Sequence, residues 1–155
     1  MDVLDIKNIK VGYQNHSVID DLTVSIPKNK ITTIIGPNGC GKSTLIKTVS
    51  RILKADNGEI LLDGKAINTL DTREIAKRMA ILPQTAESPG GLSVFELVSY
   101  GRFPYRKAMG SLSKEDYNYI NWAIEVTGLT DFKDRQISDM SGGQRQRVWI
   151  AMYLA

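Results

Sequence analysis

The sequence predicts an α/β fold with a strand-rich first half, a helical insert and a terminal helix. Three observations predict it. Residues 31–35, Ile31-Thr32-Thr33-Ile34-Ile35, are a short β-branched run of the kind buried in a parallel sheet, and GPNGCGKST at 36–44 follows at once. Residues 2–26 alternate apolar and polar positions, the period of half-buried strands. From Thr85 to Asp134 the apolar spacing changes to that of helices.

The elements follow in chain order. Val3, Leu4, Ile6, Ile9 and Val11, then Val18, Ile19, Leu22, Val24 and Ile26, read as two strands joined by the turn Gln14-Asn15-His16. His16, the single histidine, reads as a turn residue. After the strand at 31–35, Leu45, Ile46 and Val49 fall at helical spacing beyond Lys42. GEILLDG at 58–64 is a further strand closed by an Asp-Gly turn. Thr69–Arg78 predicts a short capped helix leading into a strand at Met79–Leu82. Ser93 caps a helix over Val94–Tyr100, with Glu96 three residues on to complete a capping box. Ser113 with Asp116 opens a longer helix whose Tyr117, Ile120, Ile124 and Thr127 share one face, and Gly128 ends it. There is no internal repeat, low-complexity tract or linker.

The string at 36–44 carries chemistry. Gly36, Gly41, Lys42 and Ser43 fit G-x-x-x-x-G-K-[ST], which needs a strand before it and a helix after it, and both flanks are predicted. Glycines at 36, 39 and 41 let the loop wrap closely and turn successive backbone N–H groups toward phosphate oxygens. The N-terminus of the following helix adds partial positive charge at the same place. Gly36, Pro37, Asn38, Gly39, Cys40, Gly41, Lys42, Ser43 and Thr44 together form the cradle. Lys42 would reach the β- and γ-phosphates, and the Ser43 hydroxyl would ligate Mg²⁺. Cys40 reads as a small residue that fits the loop; N–H donors around it would also favour a thiolate.

Composition excludes several classes. A chain of 155 residues can bury about two-thirds of its unfolded surface, enough for one core. The longest stretch without a charge, Ile31–Gly41, is far short of a membrane span. The start, MDVLDIKNIKVGY, carries acidic residues and no apolar core, which argues against a signal peptide. A single cysteine excludes an internal disulfide and suits the cytosol. The net charge is +3, but the basic residues are scattered and balanced by 17 acidic ones, which is not the footprint of a nucleic-acid binder.

Ser141-Gly142-Gly143-Gln144, downstream of the phosphate cradle and with Gln84 between them, resembles the ATP-binding cassette ATPases over the whole chain. The resemblance implies an α/β P-loop core of that type, with an antiparallel β subdomain and an inserted α-helical subdomain. It implies one nucleotide-binding domain made of a β-rich core over 1–84, a helical subdomain over 85–135, and the signature loop and helix over 136–155. It implies that ATP with Mg²⁺ is held by the P-loop of one subunit and by Ser141, Gly142, Gly143 and Gln144 of a second, in a head-to-tail dimer. A hydroxyl, two small residues and a helix N-terminus are sound material for such a second anion site; a helix cap with flexible glycines is the plain alternative. Tyr13 matches the family's aromatic that stacks on adenine. Gln84, in ILPQ, matches the glutamine that touches Mg²⁺ and the attacking water, so Lys42, Gln84 and Ser141 would carry the chemistry. Met140 stands where the family usually has leucine, a conservative apolar exchange.

TREIAKRMAILPQ (72–84) and ELVSYGRFPYR (96–106) resemble importer ATPases for iron–siderophore complexes and, in close relatives, haem or cobalamin. That implies a peripheral place on the cytoplasmic face of the membrane, with permease subunits as direct partners and a substrate-binding protein as an indirect one. A soluble, non-transport cassette protein stays open as the other reading. Phe103-Pro104-Tyr105-Arg106 would either receive a permease or pack as a helix-ending loop on its own lobe. The residues before the signature, Asp134–Asp139, lack the extra charged-glycine motif of exporters. The family's next parts, an apolar strand ending in Asp, the catalytic glutamate and a histidine sensing γ-phosphate, are not in the sequence, which ends at Ala155. The expectation is therefore little hydrolysis by this polypeptide alone, and exposed apolar surface on the helix of Val148–Ala155.

Overall fold

A computed structural model of the chain describes residues 2–14, 16–82, 90–106 and 110–155. These divide into two compact units, Met1–Ile75 and Ala76–Ala155.

The first unit is built on a four-stranded antiparallel sheet in the order β2-β1-β3-β4. β1 (Asp2–Tyr13) and β2 (His16–Pro27) form the expected hairpin, with Tyr13 opposite His16 and Gln14 in the left-handed region. β1 buries Leu4 and Ile6, then Ile9 and Val11, so the inward face moves from even to odd positions. A bulge at Lys7–Asn8 causes the switch: Asn8 has φ 47° and the pairing slips between Ile6 and Ile9. Opposite it on β3 (Asn57–Leu62), Gly58 has φ 87°, and a Cβ there would overlap the Lys7 and Asn8 carbonyls. Asp63 and Gly64, both with positive φ, close the predicted Asp-Gly turn into the two-residue β4 (Lys65–Ala66).

Two predicted strands do not form. Residues 31–35 are in no sheet, with Ile31 99% and Ile35 86% exposed, and 79–82 are likewise unpaired. A parallel strand exists only through hydrogen bonds to neighbours, and no described segment pairs with either run. The helix after the loop does form, as α1 (Lys42–Val49), but it buries Thr44 and Thr48 while Ile46 stays exposed. The predicted helix at 69–78 contracts to a 3-10 turn at Ile67–Thr69 and α2 (Thr72–Ala76), whose start is capped by Asp71 Oδ1 accepting from Arg73 N at 2.7 Å.

The second unit packs three helices. α3 (Val94–Ser99), α4 (Lys114–Val126) and α5 (Gly142–Leu154) enclose a core of Val94, Leu97, Val98, Ile120, Ala123, Ile124, Val148 and Ala151. Both predicted capping boxes are present, Ser93 with Glu96 and Ser113 with Asp116. On α4 the predicted face is buried at Ile120 and Ile124, whereas Tyr117 stays 45% exposed and stacks on Phe95 at 5.8 Å. Gly128, at φ 65°, ends α4 as predicted: its N–H donates to the Glu125 carbonyl and that of Leu129 to the Ile124 carbonyl, both at 2.9 Å. The apolar sequence after the signature is half sunk, with Val148 and Ala151 buried and Ile150 and Leu154 exposed. Among the described residues no helix is long and apolar enough to cross a membrane.

Candidate functional site

The loop at 36–44 is shaped by its glycines and tied by its lysine. Gly39 and Gly41 sit at φ 83° and 97°, values that L residues adopt only under strain. At Gly41 space is short as well, since a Cβ would press on Val18 and Ile19 at 3.2 and 3.3 Å. The Lys42 ammonium reaches back over the loop and donates to the carbonyls of Gly36 and Pro37 at 2.8 and 2.6 Å, with the Cys40 sulfur 3.8 Å away. The loop therefore curls around a cation, with the N–H groups that open α1 beside it. Pro37, Asn38, Cys40 and Ser43 are exposed, and Thr44 is buried under the first turn. Thr44 accepts through its carbonyl from the Thr48 hydroxyl at 2.8 Å, one turn on within α1.

The second string takes a different form. Ser141 is the N-cap of α5, with extended backbone, and its hydroxyl accepts from Gln144 N at 3.3 Å. Gln144 Oε1 in turn accepts from Ser141 N at 2.9 Å, a reciprocal capping box. Ser141, Gly142 and Gly143 are exposed, and a Cβ on either glycine would meet open space. Behind them Met140 is buried in the helical core, and Ile137 N donates to the Leu92 carbonyl at 2.9 Å. The tip is thus a bare helix N-terminus on a packed base, able to offer N–H groups and a hydroxyl to an anion.

Tyr13 ends β1 with 45% of its surface exposed, a ring free to be stacked upon. Gln84 lies outside the described residues, as does Asn15 of the turn. His16 lies at the start of β2, in the turn region expected.

The profile of the ABC transporter family matches residues 19–155. The chain belongs to the ABC transporter family. It is 56% identical over its whole length to the iron(3+)-hydroxamate import ATP-binding protein FhuC of Bacillus subtilis, covering 58% of that protein. It is 44% identical over 149 residues to the ferric enterobactin transport ATP-binding protein FepC of Escherichia coli, covering 96% of this chain and 55% of the relative. Among solved structures, a nucleotide-free ATP-binding cassette superposes with a TM-score of 0.81 at 29% identity, over 99% of this chain and 65% of that one. An inward-facing metal-chelate type ABC transporter gives 0.78 at 27% identity, over 98% and 55%. The chain thus spans little more than half the length of the curated relatives it matches. The likeness bears out the α/β cassette fold expected from the motif order.

One buried pair in the helical unit carries no signal in the sequence. Arg102 and Asp116 are both buried, at 5% and 6% exposure, and form an ion pair at 2.8 Å. The Asp116 carboxyl is held down at about 2, first by the Ser113 hydroxyl and then by Arg102, against the opposing effect of burial. Asp116 was legible only as a capping residue, and Arg102 only as one cation in YGRFPYR; no periodicity marks a charge that turns inward.

Proposed function

We propose that this chain is the ATP-binding portion of an importer ATPase that drives uptake of an iron–siderophore complex through a membrane permease. The observation that carries the reading is the pairing of two differently built anion sites in one cassette: the lysine-tied loop at 36–44 and the bare α5 tip at Ser141. The relatives at 56% and 44% identity are named as import and transport proteins for iron–hydroxamate and ferric enterobactin, which supports iron chelates as the cargo class.

The loop and tip geometry, together with the family resemblance, support the following roles. The Lys42 ammonium, now held by two carbonyls, would exchange them for β- and γ-phosphate oxygens, with Gly39, Cys40 and Gly41 supplying backbone donors. Ser43, exposed in the first turn of α1 beside those donors, fits a hydroxyl ligand for phosphate-bound Mg²⁺, which would neutralise phosphate charge. Tyr13 would stack on the base. Ser141 and the N–H groups of Gly142 and Gly143 would close over the γ-phosphate held by a second copy, so that each subunit completes its neighbour's site. Gln84 would orient the attacking water. The resulting dimer would dock on permease subunits at the cytoplasmic face of the membrane.

The test is ATP turnover by the intact protein. Wild type should hydrolyse ATP, and Lys42→Ala should reduce turnover at least a hundredfold; equal rates would defeat the enzymatic reading. Uptake of labelled ferric hydroxamate in cells lacking the gene should be restored by the wild-type gene and not by K42A. Restoration of haem or cobalamin uptake instead would reassign the cargo.

A further inference from the structure

The single histidine stands beside the path that a nucleotide held by the loop would take. Tyr13 and His16 are the last pair of the hairpin, directly opposite each other. Side chains of such a pair leave on one face, with Cβ atoms about 5 Å apart. Next along the hairpin Gly12 pairs with Ser17 and Val11 with Ile19, so β2 carries one extra residue, Val18, between them. Alternation along β1 puts Val11 on the face of Tyr13, and with them their partners Ile19 and His16. The P-loop rests on that same face: a Cβ on Gly41 would press on Val18 and Ile19, at 3.2 and 3.3 Å. Gly12 brings the two strands close here, because a Cβ on it would overlap the His16 carbonyl.

A nucleoside triphosphate in the loop would have its phosphates beside Gly41 and its base on the Tyr13 ring, which is 45% exposed. The sugar joins the two, so it would pass between Val18 and the His16 ring, two residues and about 7 Å apart along β2. His16 is exposed, and its imidazole makes no hydrogen bond among the described residues. The neighbouring carboxylate, Asp20, is already engaged: Oδ1 accepts from the Ser17 hydroxyl at 2.6 Å and lies 3.6 Å from Lys10 Nζ. Ring nitrogens of an imidazole donate or accept, and the hydroxyls of a ribose answer either. We infer that His16 is a specificity-determining residue whose ring hydrogen-bonds a ribose hydroxyl of the nucleotide. Stacking on Tyr13 accepts any base. The His16 bond selects the sugar, favouring ribonucleotides over their deoxy forms. The inference rests on the function proposed above, since it needs a nucleotide at the loop.

Calorimetric titration of the intact protein with ATP, 2′-deoxyATP and 3′-deoxyATP tests it. Wild type should bind ATP about fivefold more tightly than the analogue that lacks the bonded hydroxyl, within the range of one hydrogen bond. His16→Ala should weaken ATP binding about fivefold and bind that analogue as wild type does, so that the preference disappears. Tyr13→Ala should weaken all three nucleotides alike and leave the preference standing. A preference that survives in His16→Ala, or the absence of one in wild type, would overturn the inference. A loss from His16→Ala shared equally by all three nucleotides would overturn it too, and would make His16 a structural residue of the hairpin.

Lys42→Ala in the same titration separates this inference from the reading beneath it. Should Lys42→Ala bind ATP as wild type does, nucleotide is not held at the loop, and the proposed function falls and the role of His16 with it. Should Lys42→Ala weaken ATP binding while His16→Ala keeps the wild-type preference, nucleotide is held at the loop and only the role of His16 fails.

Discussion

The loop at 36–44 and the tip at 141–144 offer anions the same chemistry, N–H groups at a helix start, yet they are supported in opposite ways. The loop hangs from residues 31–35, which pair with nothing described, and is closed by its own lysine. The tip stands on a dense helical core, with buried Met140 beneath it and a capping box within it. A phosphate cradle can therefore be specified locally, by glycine conformation and one long cation, before its sheet is in place. A helix-end site must instead inherit its position from tertiary packing.

Substitutions can break this contrast. The largest effect is expected in the core of the helical unit. Ile120→Ala, at 0% exposure, should cost about 2–5 kcal/mol in urea unfolding of this chain, whereas Ile35→Ala should change stability by no more than about 0.5 kcal/mol. A comparable loss from both would show that 31–35 is packed. Next comes Gly101→Ala, expected to cost about 1–3 kcal/mol because the added methyl must push α5 away.

Caps should give smaller losses. Ser141→Ala should cost about 1 kcal/mol and Ser141→Gly only a few tenths, while Lys42→Ala should leave the helical unit unchanged. Thermal melts followed by the signal of Trp149, which packs against the helical core, would read each.

A further test sharpens the comparison through pH. The Asp116 carboxyl sits at about 2 in the folded chain against 3.8 when unfolded. The lower folded value means that its contribution is complete above the unfolded value and is lost as pH falls toward about 2. Asp116→Asn should flatten the stability profile in that acid window and leave the loop's half of the molecule indifferent, which urea midpoints at successive pH values would show.

Much of both halves was legible from residue order. The P-loop pattern, the capping boxes at Ser93 and Ser113, the Asp-Gly turn and the stop at Gly128 are local rules, each satisfied within a few residues, and each is present. The strands at 31–35 and 79–82 were misread because β-branched runs state a preference that only a neighbouring strand can realise. The helix after the loop was legible, but which of its residues bury was not: Thr44 and Thr48 are buried, Leu45 and Val49 half-buried, and Ile46 exposed.

The sequence by itself determined the glycine-shaped loop, the serine-capped tip and the family to which they belong, because conformation at a glycine and a hydrogen bond three residues away need no distant partner. Only the tertiary structure decided that Arg102 turns inward to Asp116 and Ala155, and that β1 changes its buried face at Asn8. Those outcomes depend on what lies across the chain in space, where a charge finds its carboxylate and a bulge finds its glycine.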